Sequence, residues 1–253
     1  MKLRLQTALA VFLVWTFAAT AASAQYVDRD DNVRFAEEFK TDEFMVMARV
    51  RAVTVPGFIM GIWFDEHARH WTEGQRNLSY GAEFIWRKDR EYEFSVAVDY
   101  ADLSMPEGFW LESGKTARSS EWTTVDMQIV SLVFSAYWFW DIQPWFSPFV
   151  GGGLGPGLIL GDITKAKPRR DSSCYNQLEG APDVFSAPEC FNAGEPDHSQ
   201  FENPVVEDRV PIVIPMLNAT VGTRFNIGRH GVLKIETGFY SYFYAGMSIG
   251  AQW

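Results

Sequence analysis

Beyond its N-terminus, the sequence has no apolar run as long as the roughly 20 residues that a membrane-spanning helix needs. Any membrane crossing must therefore be made by strands. The glycine-rich stretch 151–157 is not followed by GKS or GKT, which disfavours a phosphate-binding loop. A formal net charge of −10 argues against a nucleic-acid partner, because nucleic-acid-binding proteins present basic surfaces.

The first 24 residues have the layout of a secretory signal peptide. Lys2 and Arg4 form a positive start, the apolar run 8–15 follows, and small residues close the segment at 22–24. The alternative is an N-terminal membrane anchor, but the apolar run is short for a span of about 20 residues. We predict that residues 1–24 are removed on export and that residues 25–43 form a polar periplasmic arm.

The chain has two cysteines, Cys174 and Cys190, and both lie in one polar segment. Export through an oxidising periplasm favours a disulfide between them over two free thiols. A metal pair is disfavoured because neither cysteine has a partner at CxxC spacing. The chain-entropy model assigns about 3 kcal/mol to closing a loop of this length.

Apolar and polar side chains alternate with a period of two over eight stretches, which is typical of β-strands. These stretches cover residues 44–55, 78–88, 92–103, 125–140, 146–160, 212–226, 232–240 and 243–253. The fourth is irregular, because Asp126 shares its parity with Leu132 and Phe134. A β-bulge near Val130 would switch the faces.

The connections between these stretches alternate in length. Long ones cover residues 56–77, 104–124 and 161–211, and the others are short. Short periplasmic turns and long outer loops are typical of outer-membrane barrels. We therefore predict an all-β fold over residues 44–253: an eight-stranded antiparallel transmembrane β-barrel with one long disulfide-closed extracellular loop, residues 161–211. The soluble alternative is a secreted β-sandwich or lipocalin-like barrel, since alternation alone does not separate the two.

If the apolar parity faces lipid, the other parity directs nine charged residues into the barrel interior, and the hypothesised bulge in the fourth stretch adds Asp126 to make ten. They are Arg49, Arg51, Glu83, Arg87, Glu93, Asp99, Asp126, Arg224, Lys234 and Glu236, five of each sign. An eight-stranded barrel is just wide enough for side chains to fill it. Buried charges are costly unless paired, so we expect a salt-bridged interior. The alternative is a small ion or proton path.

The terminal strand carries apolar residues at alternate positions up to the C-terminus, including Phe243, Met247, Ile249 and Trp253. Together with the signal peptide and the eight stretches, this resembles the small outer-membrane β-barrel families of OmpA-like or OmpW-like size. The resemblance implies location in the cell outer membrane, contact with its lipid, and recognition by the barrel-insertion machinery. The terminal Trp253, where Phe is commoner, and the long cysteine-bearing loop depart from it.

Two further segments, residues 55–67 and 104–108, resemble barrel proteins of gliding, predatory deltaproteobacteria. Some such barrels serve envelope-spanning motility machinery, so this resemblance implies envelope protein partners.

No constellation of residues indicates catalysis. A nucleophile needs a base within hydrogen-bond reach, but His67, His70 and His198 lie in predicted loops and His230 in a predicted turn. His198 precedes Ser199 without an acid clearly placed to orient it. His67 and His70 lie close to acids and are candidate metal ligands, but a solvated loop is the simpler interpretation. We expect no enzyme activity, no cofactor and no metal.

The long loop begins with a basic stretch that suits the phosphates of lipopolysaccharide, formed by Lys165, Lys167, Arg169 and Arg170. The rest of the loop is acidic. Without DxDxDG spacing, a solvated acidic surface is favoured over a calcium site. The function predicted is a non-enzymatic scaffold, docking or adhesion element. The alternative is a narrow channel or small-solute transporter.

Overall fold

The computed structural model describes residues 42–62, 64–66, 77–88, 92–182, 184–192, 195–207 and 210–253. Its main feature is a closed barrel of eight antiparallel strands. They are β1 (Glu43–Thr54), β2 (Asn77–Lys88), β3 (Tyr92–Asp102), β4 (Glu121–Phe139), β5 (Phe146–Ala166), β6 (Val213–Ile227), β7 (Gly231–Tyr240) and β8 (Phe243–Gln252). Each strand pairs with the next along the chain, and β1 pairs with β8 to close the barrel. The predicted all-β, eight-stranded fold is confirmed. The predicted signal peptide and residues 25–41 of the predicted arm lie outside the described residues.

Alternate side chains of each strand point to opposite sides of the barrel wall. Large apolar residues cover the outside, including Phe84, Val98, Phe134 and Ile249. A soluble barrel has the opposite arrangement, with apolar side chains inside and polar ones outside. The residues of the predicted insertion signal, Phe243, Met247, Ile249 and Trp253, all lie on this exposed outer side.

The bulge hypothesised near Val130 is absent. Pairing of β4 with β3 runs without a register shift from Tyr92↔Trp138 to Asp102↔Gln128. One parity therefore faces outward along the whole strand, and Asp126 belongs to it. The irregular pattern arises because β4 begins at Glu121, beyond the end of β3 at Asp102, so its first residues stand past the neighbouring strand.

The projecting ends of β4 and β5 are the centre of a five-stranded sheet, at the end of the barrel opposite the turns that follow β2, β4 and β6. On the β4 side, loop strands Met105–Glu112 and Phe64–Glu66 are added, and on the β5 side Val205–Val206. The described parts of the loops contain two helices, α1 (Gly57–Met60) and α2 (Ser173–Leu178). Short 3-10 turns occur at Ala117–Ser119, Val184–Ser186, Pro188–Cys190 and His198–Gln200, and a small hairpin pairs Phe191–Asn192 with Glu195–Pro196. None of the described helices has the length and apolar character needed to cross a membrane.

We call residues 105–120 and 167–207 the cap, and the barrel end that carries them the cap end. The opposite end, which carries the turns after β2, β4 and β6, is the turn end. The described residues of the three long connections therefore lie at one end of the barrel, as predicted from the connection lengths.

Candidate functional site

Nine of the ten charged residues predicted to face inward lie inside the barrel, and each is at most 4% exposed. They are Arg49, Arg51, Glu83, Arg87, Glu93, Asp99, Arg224, Lys234 and Glu236. The prediction for Asp126 is wrong. Its side chain is exposed and accepts hydrogen bonds from Gln128 Nε2 at 2.6 Å and from Ser104 Oγ at 3.4 Å. The unbroken register of β4 places Asp126 on the outward parity, in the part of the strand that projects beyond β3.

One group of these charges lies near the turn end, around Glu93. The Glu93 carboxylate accepts from Lys234 Nζ at 2.5 Å, pairs with the Arg224 guanidinium, and lies 3.8 Å from Arg87 Nε. Two carboxylates at the rim complete the group: Glu43 lies 3.6 Å and Asp141 3.2 Å from the Arg87 guanidinium. We call these residues the turn-end cluster. Three cations face three carboxylates, so the charge of the cluster balances locally.

Sequence reasoning missed the two rim carboxylates. Glu43 shares the inward parity of Arg49 and Arg51 on β1, so the alternation contained the signal. Asp141 lies in the turn after β4, where strand parity does not apply, and no signal in the sequence placed it beside Arg87.

A second group lies at mid-barrel and comprises Arg49, Arg51, Glu83, Asp99 and Glu236. Arg51 binds Glu236 Oε1 through Nε at 2.8 Å and through Nη2 at 2.7 Å. Arg49 is held more loosely, at 3.6–3.8 Å from the carboxylates of Glu83, Asp99 and Glu236. Three carboxylates face two cations in this mid-barrel cluster.

Tyrosine side chains complete the polar packing around Arg51. Its guanidinium carbon lies 4.1 Å from the ring centre of Tyr244 and 5.3 Å from that of Tyr240. The Tyr240 hydroxyl donates to Asp99 Oδ2 at 3.1 Å. Aromatic rings attract cations through their negative faces, so these tyrosines hold Arg51 in place as well as filling space.

Between the mid-barrel cluster and the cap, the interior is apolar. Five buried apolar residues pack together there with the tyrosines of the β7–β8 hairpin: Val53, Leu103, Ile129, Val133 and Met216. The described interior thus contains two charged clusters and, nearer the cap, an apolar layer, with buried polar residues such as Asn77, Ser131 and Asn218 beside them.

The cap is built around the predicted disulfide. Cys174 and Cys190 are bonded, with their Cα atoms 4.5 Å apart. Both are buried in a small core with Phe109, Leu178 and Phe201, and the Phe109 ring is also packed on Trp122 of β4. The long loop is therefore a folded unit attached to the barrel wall.

Polar contacts fasten the two segments of the cap to each other. The Arg118 guanidinium carbon lies 4.0 Å from the ring centre of Tyr175, and Arg118 Nη1 lies 3.2 Å from Glu179 Oε1. Elsewhere in the cap, Ser199 donates to Asp197 through both its hydroxyl and its amide. These hydrogen bonds lower the pKa of the Asp197 carboxyl.

The basic residues predicted to contact lipopolysaccharide lie at the junction of β5 and the cap, and three of them form ion pairs with carboxylates. Lys165 Nζ lies 3.4 Å from Glu121 and 3.0 Å from Glu207. Lys167 pairs with Glu121 at 3.3 Å and Arg169 with Asp171 at 2.7 Å. Arg170 is exposed. Neighbouring carboxylates reduce the attraction that Lys165, Lys167 and Arg169 exert on phosphate.

The described histidines do not form a catalytic arrangement. The Ser199 hydroxyl donates to Asp197 at 2.6 Å, while the His198 ring packs against Trp122. His230 Nδ1 lies 3.1 Å from the carbonyl of Gln252. His67 and His70 lie outside the described residues. Across the part of the chain that is described, no group of three His, Cys, Asp or Glu side chains is placed to hold a metal ion.

No protein-family model and no curated protein matches the chain. Among solved structures, it is similar to Neisserial surface protein A, with 11% identity over 83% of this chain and 95% of that chain and a TM-score of 0.37. It is also similar to the N-terminal β-barrel domain of Pseudomonas aeruginosa OprF, with 10% identity, coverage of 85% and 99%, and a TM-score of 0.37. A third similar structure is Ail, the attachment invasion locus protein of Yersinia pestis, in complex with the heparin analogue sucrose octasulfate, with 8% identity, coverage of 83% and 96%, and a TM-score of 0.38. At these identities and scores, none of the three supports an inference about what this chain does.

Proposed function

We propose that the chain is a non-enzymatic outer-membrane β-barrel that acts as a scaffold, presenting its cap for docking or adhesion. The observation that carries this proposal is the inverted barrel wall, with an apolar belt outside and paired charges inside. A closed barrel leaves no unpaired strand edge, which is what a membrane-spanning strand structure requires.

Aromatic residues near the turn end support the membrane assignment. Trp86, Tyr92, Trp138, Trp140 and Trp145 are all exposed there. Tryptophan and tyrosine are enriched where a membrane meets water, because their rings are apolar and their N–H or O–H groups are polar. With the predicted signal peptide, this supports an outer-membrane location with the turn end towards the periplasm.

The packed interior favours a scaffold over a channel. The turn-end cluster pairs its charges directly, and the apolar layer lies between the mid-barrel cluster and the cap. A solute would have to displace both charged and apolar side chains to pass. The loosely held Arg49 is the point at which a narrow water path would most easily open, and it defines the mutation for testing the channel alternative.

The cap is the part of the molecule suited to a partner. Binding residues are commonly presented by loops on a rigid scaffold, and here a disulfide and a small core hold the loop in one shape. Pre-organisation of this kind reduces the entropy lost on binding. We propose that the partner is an envelope protein within an envelope-spanning assembly. Residues 55–67 and 104–108 support this choice, because their resemblance to barrels of motility machinery implies such an assembly. Lipopolysaccharide contact is a second proposal, which the carboxylate pairing of Lys165 and Lys167 makes weaker.

Four measurements test the proposal. Purified protein should migrate differently in detergent gels before and after boiling, and should float with lipid vesicles on a density gradient. Loss of both properties would overturn the membrane assignment.

In planar bilayers, wild-type protein and Arg49→Ala should both be silent; steady openings of the wild type that change in the variant would favour the channel. Crosslinking of intact cells through the cap, with a cap-deleted barrel as control, should then capture an envelope protein.

A further inference from the structure

An exposed apolar turn lies just outside the barrel, at the cap end of β1. It is formed by α1 and the residues that follow it, where Phe58 is 69% exposed and Ile62 62% exposed. Residues 53–64 contain no charged side chain, and the first charge is Asp65. In water, two large apolar side chains would remain uncovered on a segment that has no charge to keep it solvated.

This turn folds over the barrel rim towards the outer wall. The last residue of β1, Thr54, is paired with Phe243 of β8. Val55 packs inward against the apolar layer, whereas the Phe58 ring lies 6.1 Å from the ring of Phe243, on the outward parity. Phe58 is therefore an addition to the apolar belt, contributed by a loop.

The wall next to this contact is also apolar. A groove of about 290 Å³ lies on the outside of the barrel, and its walls include Val150, Val221, Phe239 and Phe243. The rings of Phe239 and Phe243 are 5.4 Å apart. Phe243 thus has Phe58 on one side and the groove on the other, so the exposed turn and the belt form one continuous apolar surface.

We propose that the turn formed by α1 and Ile62 lies within the membrane leaflet at the cap end, with Phe58 and Ile62 among lipid acyl chains. The inference rests on the proposed function, because it requires the barrel wall to be in a bilayer. Membrane lipid is the occupant because the surface is continuous with the belt and lacks a charge that would have to be desolvated. The turn then anchors the first residues after β1 at the rim, on the side of β1 and β8.

The experiment places a single fluorescent reporter at each of four positions. Cysteine is introduced by Phe58→Cys or Ile62→Cys, and both native cysteines are buried in the disulfide and unavailable to the label. Val98→Cys, at the middle of the outer wall, is the lipid control, and Lys115→Cys, in the exposed cap, is the water control. Each protein is labelled with an environment-sensitive dye and reconstituted in phosphatidylcholine vesicles with or without doxyl-labelled lipid. A heat-modifiable gel shift confirms that each variant is folded.

We expect the labels at positions 58 and 62 to show blue-shifted emission and to be quenched by doxyl groups at a shallow depth in the bilayer. The label at position 98 should be quenched more by doxyl groups deep in the bilayer. The label at position 115 should be quenched by doxyl groups at neither depth. If position 98 is quenched while 58 and 62 behave like 115, the turn lies outside the lipid and only this inference fails. If position 98 is not quenched either, the membrane function itself fails. A third outcome is a blue shift at position 58 that doxyl lipid does not quench and that disappears when the protein is diluted in lipid. This outcome would assign the surface to a second copy of the chain and overturn the inference.

Discussion

Glu93→Gln is the substitution that tests the interior most directly. Glu93 is fully buried and contacts Lys234, Arg224 and Arg87. Glutamine keeps the shape and one acceptor oxygen but removes the charge, which leaves the three cations of the turn-end cluster with Glu43 and Asp141 as its two remaining carboxylates. Removing one partner of a buried ion pair typically costs about 3–5 kcal/mol. Because the rim carboxylates stay close to Arg87, we expect the lower end, about 3 kcal/mol.

The assay is equilibrium unfolding in urea in lipid vesicles, followed by the gel shift between folded and unfolded forms. Glu107→Gln is the matched control, since the same chemical change is made at an exposed position of the cap and should alter stability by less than about 0.5 kcal/mol. The double variant Glu93→Gln with Lys234→Met should lose less unfolding free energy than the two single variants lose when added together. We expect a difference of about 0.5–3 kcal/mol, because the double variant has one unpaired cation fewer. Equal stabilities for Glu93→Gln and Glu107→Gln would refute the reasoning and indicate an interior wet enough to solvate isolated charges.

Three further predictions concern the cap and the wall. Replacing Cys174 and Cys190 by alanine should leave the barrel folded but make the cap more protease-sensitive, with a loss of about 3 kcal/mol of local stability; unchanged cleavage would show that the small core alone holds the cap. Val98→Arg should weaken insertion into vesicles by about 2–4 kcal/mol if that position faces the bilayer midplane, and a neutral effect measured by folding titration would contradict the assignment of the belt. Hydrogen bonds from Ser199 lower the pKa of Asp197. The stabilisation they provide should therefore be present above the ordinary aspartate pKa of about 3.9 and disappear as the pH falls through the lower folded-state pKa. An NMR titration that places the pKa of Asp197 at or above the ordinary value would disprove this.

The strands and their faces were readable from the sequence because side chains alternate along a strand whatever its neighbours are. Alternation within β6 and β7 correctly placed Arg224, Lys234 and Glu236 inside the barrel. Alternation within β1 also places Glu43 inside, with Arg49 and Arg51, but Glu43 was assigned to the arm. Its inclusion would have supplied one of the two rim carboxylates that balance the turn-end cluster.

Asp126 shows what parity alone does not reveal, because its outward parity was correct and the hypothesised bulge was not. A residue of outward parity contacts lipid only within the apolar belt, and the sequence does not reveal how far a strand projects beyond its neighbours. Here β4 and β5 continue past that belt into the five-stranded sheet at the cap end, so a charged residue of outward parity is tolerated. The hypothesised bulge explained the same pattern by a local irregularity, whereas the cause is the length of the strand.

The sequence by itself determined the number of strands, which side chains share a face of each strand, and the disulfide, because each depends on local periodicity or on the only available pair of cysteines. Only the tertiary structure decided which charges meet. Glu93 and Lys234 are 141 positions apart, and they pair because barrel closure and strand stagger bring β3 and β7 to the same depth inside the barrel. The small core of the cap and the contact between Phe58 and Phe243 likewise join segments that are distant in sequence, and no periodic pattern records such contacts.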